Sequence, residues 1–312
     1  MRRVQLPTEH DFSRARVAVR QHLEPTRLLS LPGNRWLKLE SRQPAGAFKV
    51  RGAIAALSRL PEGSRIVTAS AGNHAIGIAW AALKLKQQAT IVVPETASPR
   101  KLEILQEMDA EIVQIGTSFD DAEAHALQLA EAGSTYVSAY NDPHVIAGQA
   151  TVLEELLGEI EGNFTVIVPV GGGGLIAGIA MRAAKVTDRN ITVIGVEAEA
   201  SQAVSAAVAA GQVIDIPIGE TLADGLAGNI EPGSITVDIL KEHPPEFVSV
   251  NEDQIRAAIR ELYADHDLVA EGAAATSYAA MKSLSIDGPV VALITGRNID
   301  RSLLREIVSS QT

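Results

Sequence analysis

Short runs rich in β-branched residues alternate along the chain with longer, alanine-rich stretches whose apolar residues recur at helical spacing. The runs predict strands at 35–39, 65–69, 89–93, 111–115, 135–138, 164–170, 191–197, 246–250 and 290–295. The stretches between them predict helices at 49–60, 73–86, 98–108, 119–132, 143–160, 174–185, 199–210, 251–267 and 272–284. Several strands are apolar throughout, as expected where helices cover both faces of a sheet. Alternation of this kind predicts an α/β fold with open, mostly parallel sheets. No tandem repeat or low-complexity linker interrupts the chain, so domains must be separated by topology. Residues 211–233 are rich in loop formers, and a long loop in a compact α/β protein is usually functional.

Residues 165–181 carry no charge and approach the length of a membrane span. Pro169 and four consecutive glycines at 171–174 would break such a helix, so the segment reads as strand, loop and helix start. Composition narrows the function further. Of 312 residues 46% are hydrophobic, which excludes disorder for most of the chain. The net charge of −11 and the lack of a basic stripe argue against a nucleic-acid partner. There is no cysteine, which excludes disulfides, thiol catalysis and cysteine-based metal sites. The opening MRRVQLPTEHDF turns acidic before an apolar core forms, so no signal peptide is expected and a cytoplasmic setting is.

Four segments carry candidate chemistry. Gly171 to Gly174 join a buried strand to a helix; they read either as a flexible turn or as a cradle of backbone N–H groups at a helix N-terminus that binds phosphate. No Lys-Ser/Thr follows, so this is not a Walker loop, and the spacing is not that of a dinucleotide fingerprint. Lys49, at a helix start beside Phe48, is either a solvated surface lysine or an amine that loses solvation in a cleft and can form a Schiff base. Arg51 is the residue for a structural ion pair. Ser70-Ala71-Gly72-Asn73-His74 sits at a strand-to-helix junction suited to an anion such as a carboxylate, with His74 itself expected to cap or pack. Thr295 places a hydroxyl at the C-terminal edge of a strand, where α/β sheets bind ligands, next to Gly296.

In order and spacing, these segments resemble the fold type II pyridoxal-phosphate enzymes, the tryptophan synthase β-like family. The likeness is to their threonine/serine dehydratase and serine racemase branch. It extends to NDPHVIAGQAT (141–151), GVE (195–197), ETLADG (220–225) and VAEGAAA (269–275). The resemblance implies two twisted, mostly parallel sheets with the cofactor between domains: 1–64 with 142–312 as the large domain, 65–141 as a small one closing over substrate. It implies that Lys49 holds pyridoxal 5'-phosphate and is the base at the substrate Cα, with Phe48 packed near the ring. It gives Asn73 the phenolic oxygen, Gly171, Gly172, Gly173, Gly174 and Leu175 the phosphate, and Thr295 the ring nitrogen. Gly225 and Glu271 would lie near the ring. Ser70, Ala71, Gly72, Asn73 and His74 would receive the substrate carboxylate. A homodimer or higher homo-oligomer is implied, with a small-molecule amino-acid substrate and neither nucleic acid nor membrane as partner.

Four positions depart from that pattern: Ala47, Ile76, Ala150 and Arg297, where Ser, Gln, Gly and Gly are usual. Arg297 puts a cation at the pocket or its rim. The segment 228–236 also differs from threonine deaminases, which leaves open a β-hydroxy amino acid other than threonine, including a larger one. Glu197 matches a cation ligand of relatives, but its partner carboxylate falls at about Ala203, which has no ligand atom, so no metal is expected. No C-terminal regulatory domain is expected after Thr312. The expected reaction is dehydration of a β-hydroxy-α-amino acid such as L-threonine or L-serine to a 2-oxo acid and ammonia. The alternative is an amino-acid racemase. Racemases of the branch carry Ser where this chain has Ala71, and alanine cannot transfer a proton. A third class, a silent cofactor-binding protein, is disfavoured by Lys49 together with the glycine loop.

Overall fold

The computed structural model describes residues 4–97 and 99–309. Helix α1 (Glu9–His22) leads to strands β1 (Leu28–Leu31) and β2 (Arg35–Lys38), a 3-10 turn at Glu40–Arg42, and α2 (Lys49–Leu57). Then come β3 (Arg65–Ala69), α3 (Asn73–Lys84), β4 (Gln88–Val93), α4 (Pro99–Gln106), β5 (Glu111–Gln114), α5 (Phe119–Glu131) and β6 (Thr135–Tyr136). Next are α6 (Pro143–Gln149), α7 (Thr151–Glu159), β7 (Phe164–Pro169), α8 (Gly174–Ala183), β8 (Ile191–Ala198) and α9 (Ala203–Ala210). A 3-10 turn at Asp224–Leu226 precedes α10 (Ile235–Glu242), β9 (Glu246–Val250), α11 (Glu252–His266), α12 (Gly272–Ser283), β10 (Val290–Leu293) and α13 (Arg301–Ser309).

The strands form a six-stranded sheet ordered β1-β2-β10-β7-β8-β9 and a four-stranded sheet ordered β5-β4-β3-β6. Among the strand pairs of the described residues, only β1–β2 is antiparallel. β7 is buried at every position, and its alternation splits the large core in two. Ile167 joins Leu37, Ile194 and Ala275 on one face. Val166 and Val168 join Leu153, Ile176 and Ile179 on the other. The small sheet divides likewise: Ile66 and Ile91 pack with Ile54 and Ile78, whereas Val67 and Val92 pack with Ala122 and Ala126.

Helix α2 turns its apolar side to the small sheet while Arg51 points into a buried ionic cluster. Arg51 donates to both Glu40 oxygens at 2.7 and 2.8 Å and to Glu155 Oε1 at 2.6 Å. Lys38 Nζ lies 2.8 Å from Glu155 Oε2 and 2.7 Å from Glu159 Oε1. Burial alone would raise the Glu155 carboxyl, but Arg51 and Lys38 outweigh it and hold it below its ordinary value. Arg51 is therefore structural, as expected.

Several expected elements differ. The helix at 143–160 is two, because Ala150 caps both α6 and α7 and Thr151 turns its hydroxyl back to the Gly148 carbonyl. The strand at 135–138 is only Thr135–Tyr136, since Ser138 bonds Asn141 N in a turn. The helix at 199–210 begins at Ala203. The helix at 98–108 runs over Pro99–Gln106, and Ser98 lies outside the described residues. β1, α1, α10 and α13 were not anticipated. Among the described residues no helix is long and apolar enough to cross a membrane, and 165–181 is strand, loop and helix.

Candidate active site

The glycine loop follows β7 and opens α8, whose N-cap Gly173 has φ +85°, a left-handed conformation that favours glycine. A Cβ on Gly172 would lie 2.3 Å from the Tyr140 ring, and one on Gly174 2.9 Å from Tyr140 Cα. Gly171 is less tightly confined: its Cβ would meet Leu226 Cα at 3.1 Å and the Gly225 carbonyl at 3.2 Å. Gly225 thus lies beside the loop. The loop is closed in from one side by neighbours that tolerate only bare backbone. Leu175 continues into the first turn of α8. Converging N–H groups at a helix start suit a phosphate.

Lys49 is placed by the far end of the large sheet. Phe48 N donates to the Thr295 carbonyl at 2.9 Å, and Ala47 bridges Gly296. Thr295 itself is buried, just beyond β10. From the other side α3 presses on the backbone of α2: a Cβ on Gly77 would be 3.2 Å from the Lys49 carbonyl carbon. The Lys49 amine donates to the Ala139 carbonyl at 2.9 Å and lies 5.2 Å from the Phe48 ring centroid. Burial lowers its pKa from 10.5 to about 8, with Glu271 opposing the shift.

Ser70, Ala71, Gly72 and Asn73 are half-buried at the C-terminal edge of β3. Gly72 N donates to Ser70 Oγ at 3.2 Å, which shapes the turn into α3. Asn73 Nδ2 donates to Glu271 Oε1 at 2.6 Å, and Asn298 Nδ2 donates to Asn73 Oδ1 at 2.6 Å. Glu271 N bonds the Gly296 carbonyl at 3.1 Å, and a Cβ on Gly296 would fall 2.1 Å from Glu271 Oε1. Gly296 therefore makes room for the Glu271 carboxylate. His74 is buried, with Nε2 against the Val137 carbonyl and Nδ1 unpartnered. Burial first and the Lys49 charge second push its pKa down to about 3.

Lys49, Thr295, Glu271 and Asn73 are thus gathered at one place from four distant parts of the chain. Arg297 is exposed, and its N–H bonds the Gly46 carbonyl; its side chain does not line the buried site. Glu197 accepts from Val204 N at 2.9 Å and Ser205 N at 3.3 Å, so its carboxylate caps α9. Burial nonetheless raises its pKa. Among the described residues no group of three or more His, Asp or Glu could hold a metal.

Three participants were missed from sequence. Tyr140 walls the glycine loop, held by Glu231 N donating to its hydroxyl at 2.9 Å. Asn298 reaches Asn73. The Ala139 carbonyl, which receives Lys49, leaves no side-chain signal at all. Asn298 was detectable in principle, as a polar residue just beyond a buried strand edge.

These features fit pyridoxal phosphate on structural grounds. A lysine amine is held mostly desolvated, a glycine cradle leaves no room for a Cβ at Gly172 and Gly174, and Asn73 has one N–H without a protein partner among the described residues. A family model described as pyridoxal-phosphate dependent enzyme matches residues 19–296. The chain is 39% identical to the L-threonine ammonia-lyase of Thermotoga maritima, over 89% of this chain and 70% of that protein. It is 35% identical to the catabolic L-threonine dehydratase of Staphylococcus aureus, over 98% of this chain and 94% of that one. Maize serine racemase superposes with a TM-score of 0.89 at 27% identity, covering 97% of each chain.

Proposed function

The chain belongs to the pyridoxal-phosphate dependent enzymes, and from that premise we propose that it is an ammonia-lyase that dehydrates L-threonine or L-serine. Overall, the β-hydroxyl leaves as water, the substrate loses its Cα hydrogen, and the enamino acid released hydrolyses to a 2-oxo acid and ammonia. Pyridoxal phosphate supplies the electron sink that acidifies the Cα–H bond. The chain's own residues do the rest. Lys49, near pKa 8, carries the cofactor and takes the Cα proton. Asn73 donates to the phenolic oxygen. The N–H groups of Gly171 to Leu175 hold the phosphate, and the backbone of Ser70 to His74 receives the substrate carboxylate. Thr295 offers a neutral hydroxyl to the ring nitrogen. Phe48 and Gly225 flank the ring.

The observation that carries the lyase reading is Ala71 in the substrate loop: it offers no proton with which to rebuild the Cα–H bond from a second face. The racemase reading draws support from the overlap with maize serine racemase. Incubation with a panel of L-β-hydroxy amino acids, assayed for keto acid and for D-enantiomer, separates the two. Keto acid in excess supports the lyase; D-serine formed faster than pyruvate overturns it.

The proposal includes a small domain of residues 65–141 that closes on the rest and excludes water when substrate binds. Scattering profiles unchanged by a non-reactive substrate analogue would exclude closure. It also includes a cytoplasmic setting, tested by fractionation, and a homodimer or larger assembly, tested by light scattering.

A further inference from the structure

We propose that Asn298 is a positioning residue: it holds the Asn73 amide in the one orientation that leaves an N–H for the cofactor's phenolic oxygen. The inference rests on the pyridoxal-phosphate reading above and assigns a role within that site to a residue outside the expected set.

The polarity of the chain Asn298–Asn73–Glu271 fixes itself from both ends. Asn298 Nδ2 donates to the Ala45 carbonyl at 3.1 Å, an atom that can only accept. That settles which end of the Asn298 amide is nitrogen. Its second hydrogen then goes to Asn73 Oδ1 at 2.6 Å. At the other end Glu271 presents a carboxylate, which also only accepts, and Asn73 Nδ2 meets Oε1 at 2.6 Å. Inverting the Asn73 amide would set oxygen against the Glu271 carboxylate and nitrogen against the Asn298 nitrogen. Two hydrogen bonds would be lost and two repulsive contacts made. In the observed orientation Nδ2 spends one hydrogen on Glu271 and keeps one.

Asn298 is itself tied to the frame that carries Lys49. Arg297 N bonds the Gly46 carbonyl at 2.9 Å. Gly46 has φ +72°, and a Cβ there would lie 2.5 Å from Asn298 Oδ1. One short segment therefore sets both the lysine, through Ala47 and Phe48, and the Asn73 amide, through Asn298. The contacts span 198 and 225 residues of sequence, so no local pattern could reveal them.

The test compares holoenzyme forms of wild type, Asn298→Asp, Asn298→Ala, Asn73→Ala and the double variant Asn73→Ala/Asn298→Ala. Aspartate matches asparagine in shape but cannot donate to Asn73 Oδ1; with a carboxylate at both ends, the amide is no longer held in one orientation. The expected result for Asn298→Asp is a shifted absorbance maximum of the bound cofactor. The pH midpoint of that absorbance should rise by about one unit, because a donor to the phenolic oxygen is lost. kcat should fall about tenfold or more, with KM changing less than about threefold. Asn298→Ala should lie between, and carries the same prediction if the aspartate variant does not fold. In the Asn73→Ala background, removing Asn298 should change kcat by less than about threefold, because it then has nothing to orient. An unchanged cofactor spectrum in both Asn298 variants, or losses that multiply in the double variant, overturns the proposal. A wild type that takes up no pyridoxal phosphate overturns the cofactor reading instead, and this proposal with it.

Discussion

Lys49 and His74 are held side by side by one backbone segment: Lys49 Nζ donates to the Ala139 carbonyl at 2.9 Å, and His74 Nε2 to the Val137 carbonyl at 3.1 Å. The carbonyl can only accept, so the imidazole proton is on Nε2 and Nδ1 is a bare lone pair. The pair divides its labour by environment. With a pKa near 3 the imidazole stays neutral through the working range, whereas the amine, near 8, changes charge within it. Of the two, Lys49 is the one able to exchange a proton in that range.

The rate at which the apoprotein captures pyridoxal phosphate should therefore rise about tenfold per pH unit up to about 8 and level off above it. The sign follows from burial, which penalises the ammonium and favours the reactive neutral amine. At pH 7 about a tenth of the amines are neutral, against roughly three in ten thousand for an ordinary lysine. Stopped-flow absorbance checks the profile. Lys49→Ala should fold, lose the cofactor band and lose nearly all turnover; near-normal keto-acid formation would remove the assignment.

Ala71→Ser should raise the fraction of D-enantiomer in residual substrate. The increase is expected to be small, because a donor must sit within about 3 Å of its target. Chiral chromatography reads it. If the parent protein already racemises serine faster than it releases pyruvate, the lyase reading is wrong.

Gly172→Ala should weaken cofactor binding about ten- to hundredfold. The new Cβ would stand 2.3 Å from a Tyr140 ring whose hydroxyl is held by Glu231 N. Relief by moving the loop costs about 1–3 kcal/mol. Equilibrium titration with pyridoxal phosphate measures it, and an unaltered affinity would show that the loop does not hold the phosphate.

Much of this site was legible because its chemistry sits in contiguous words. The glycine run, Lys49, the Ser70–His74 loop and Thr295 all lie where a strand meets a helix or a sheet ends, and α/β topology brings such junctions together. β3 and β9 match their expected limits, since each is a short β-branched run bounded by breakers. The misses have physical causes. α1 buries only Phe12, Ala15 and Val19 amid charged residues, too thin a stripe to stand out. β1 is an edge strand of three half-buried residues and one exposed. Ala150 broke a helix without proline or glycine to mark it. Asn298 stands at a strand edge where polar residues are suspect, but its partner lies 225 residues away, and Ala139 acts through a carbonyl that leaves no pattern.

Arg51→Met should destabilise the fold by about 3–5 kcal/mol, because Glu40 would be left as a buried carboxylate without its cation and Glu155 would keep only Lys38. Glu155 is held below its ordinary 4.5, so its share of stability is present above that pH and lost as acid carries it through the lowered value. The variant's deficit in denaturant unfolding should accordingly hold from pH 7 down to about 4.5 and shrink only below it. A deficit below about 1 kcal/mol at pH 7 would mean that the cluster relaxes around the gap.

Strand β10, the last of the ten, lies between β2 and β7, and the residues just beyond it bridge Ala47 and bond Phe48. On a ribosome this ordering has a cost in time. The small sheet, which uses only residues 65–136, can assemble while the chain is still emerging. The lysine's seat cannot: until the stretch around residue 296 is free, β2 has no parallel neighbour and Ala47 and Phe48 have no backbone partner. A nascent or truncated chain ending before β10 should thus be blind to pyridoxal phosphate, and cofactor loading has to wait for the stretch around residue 296.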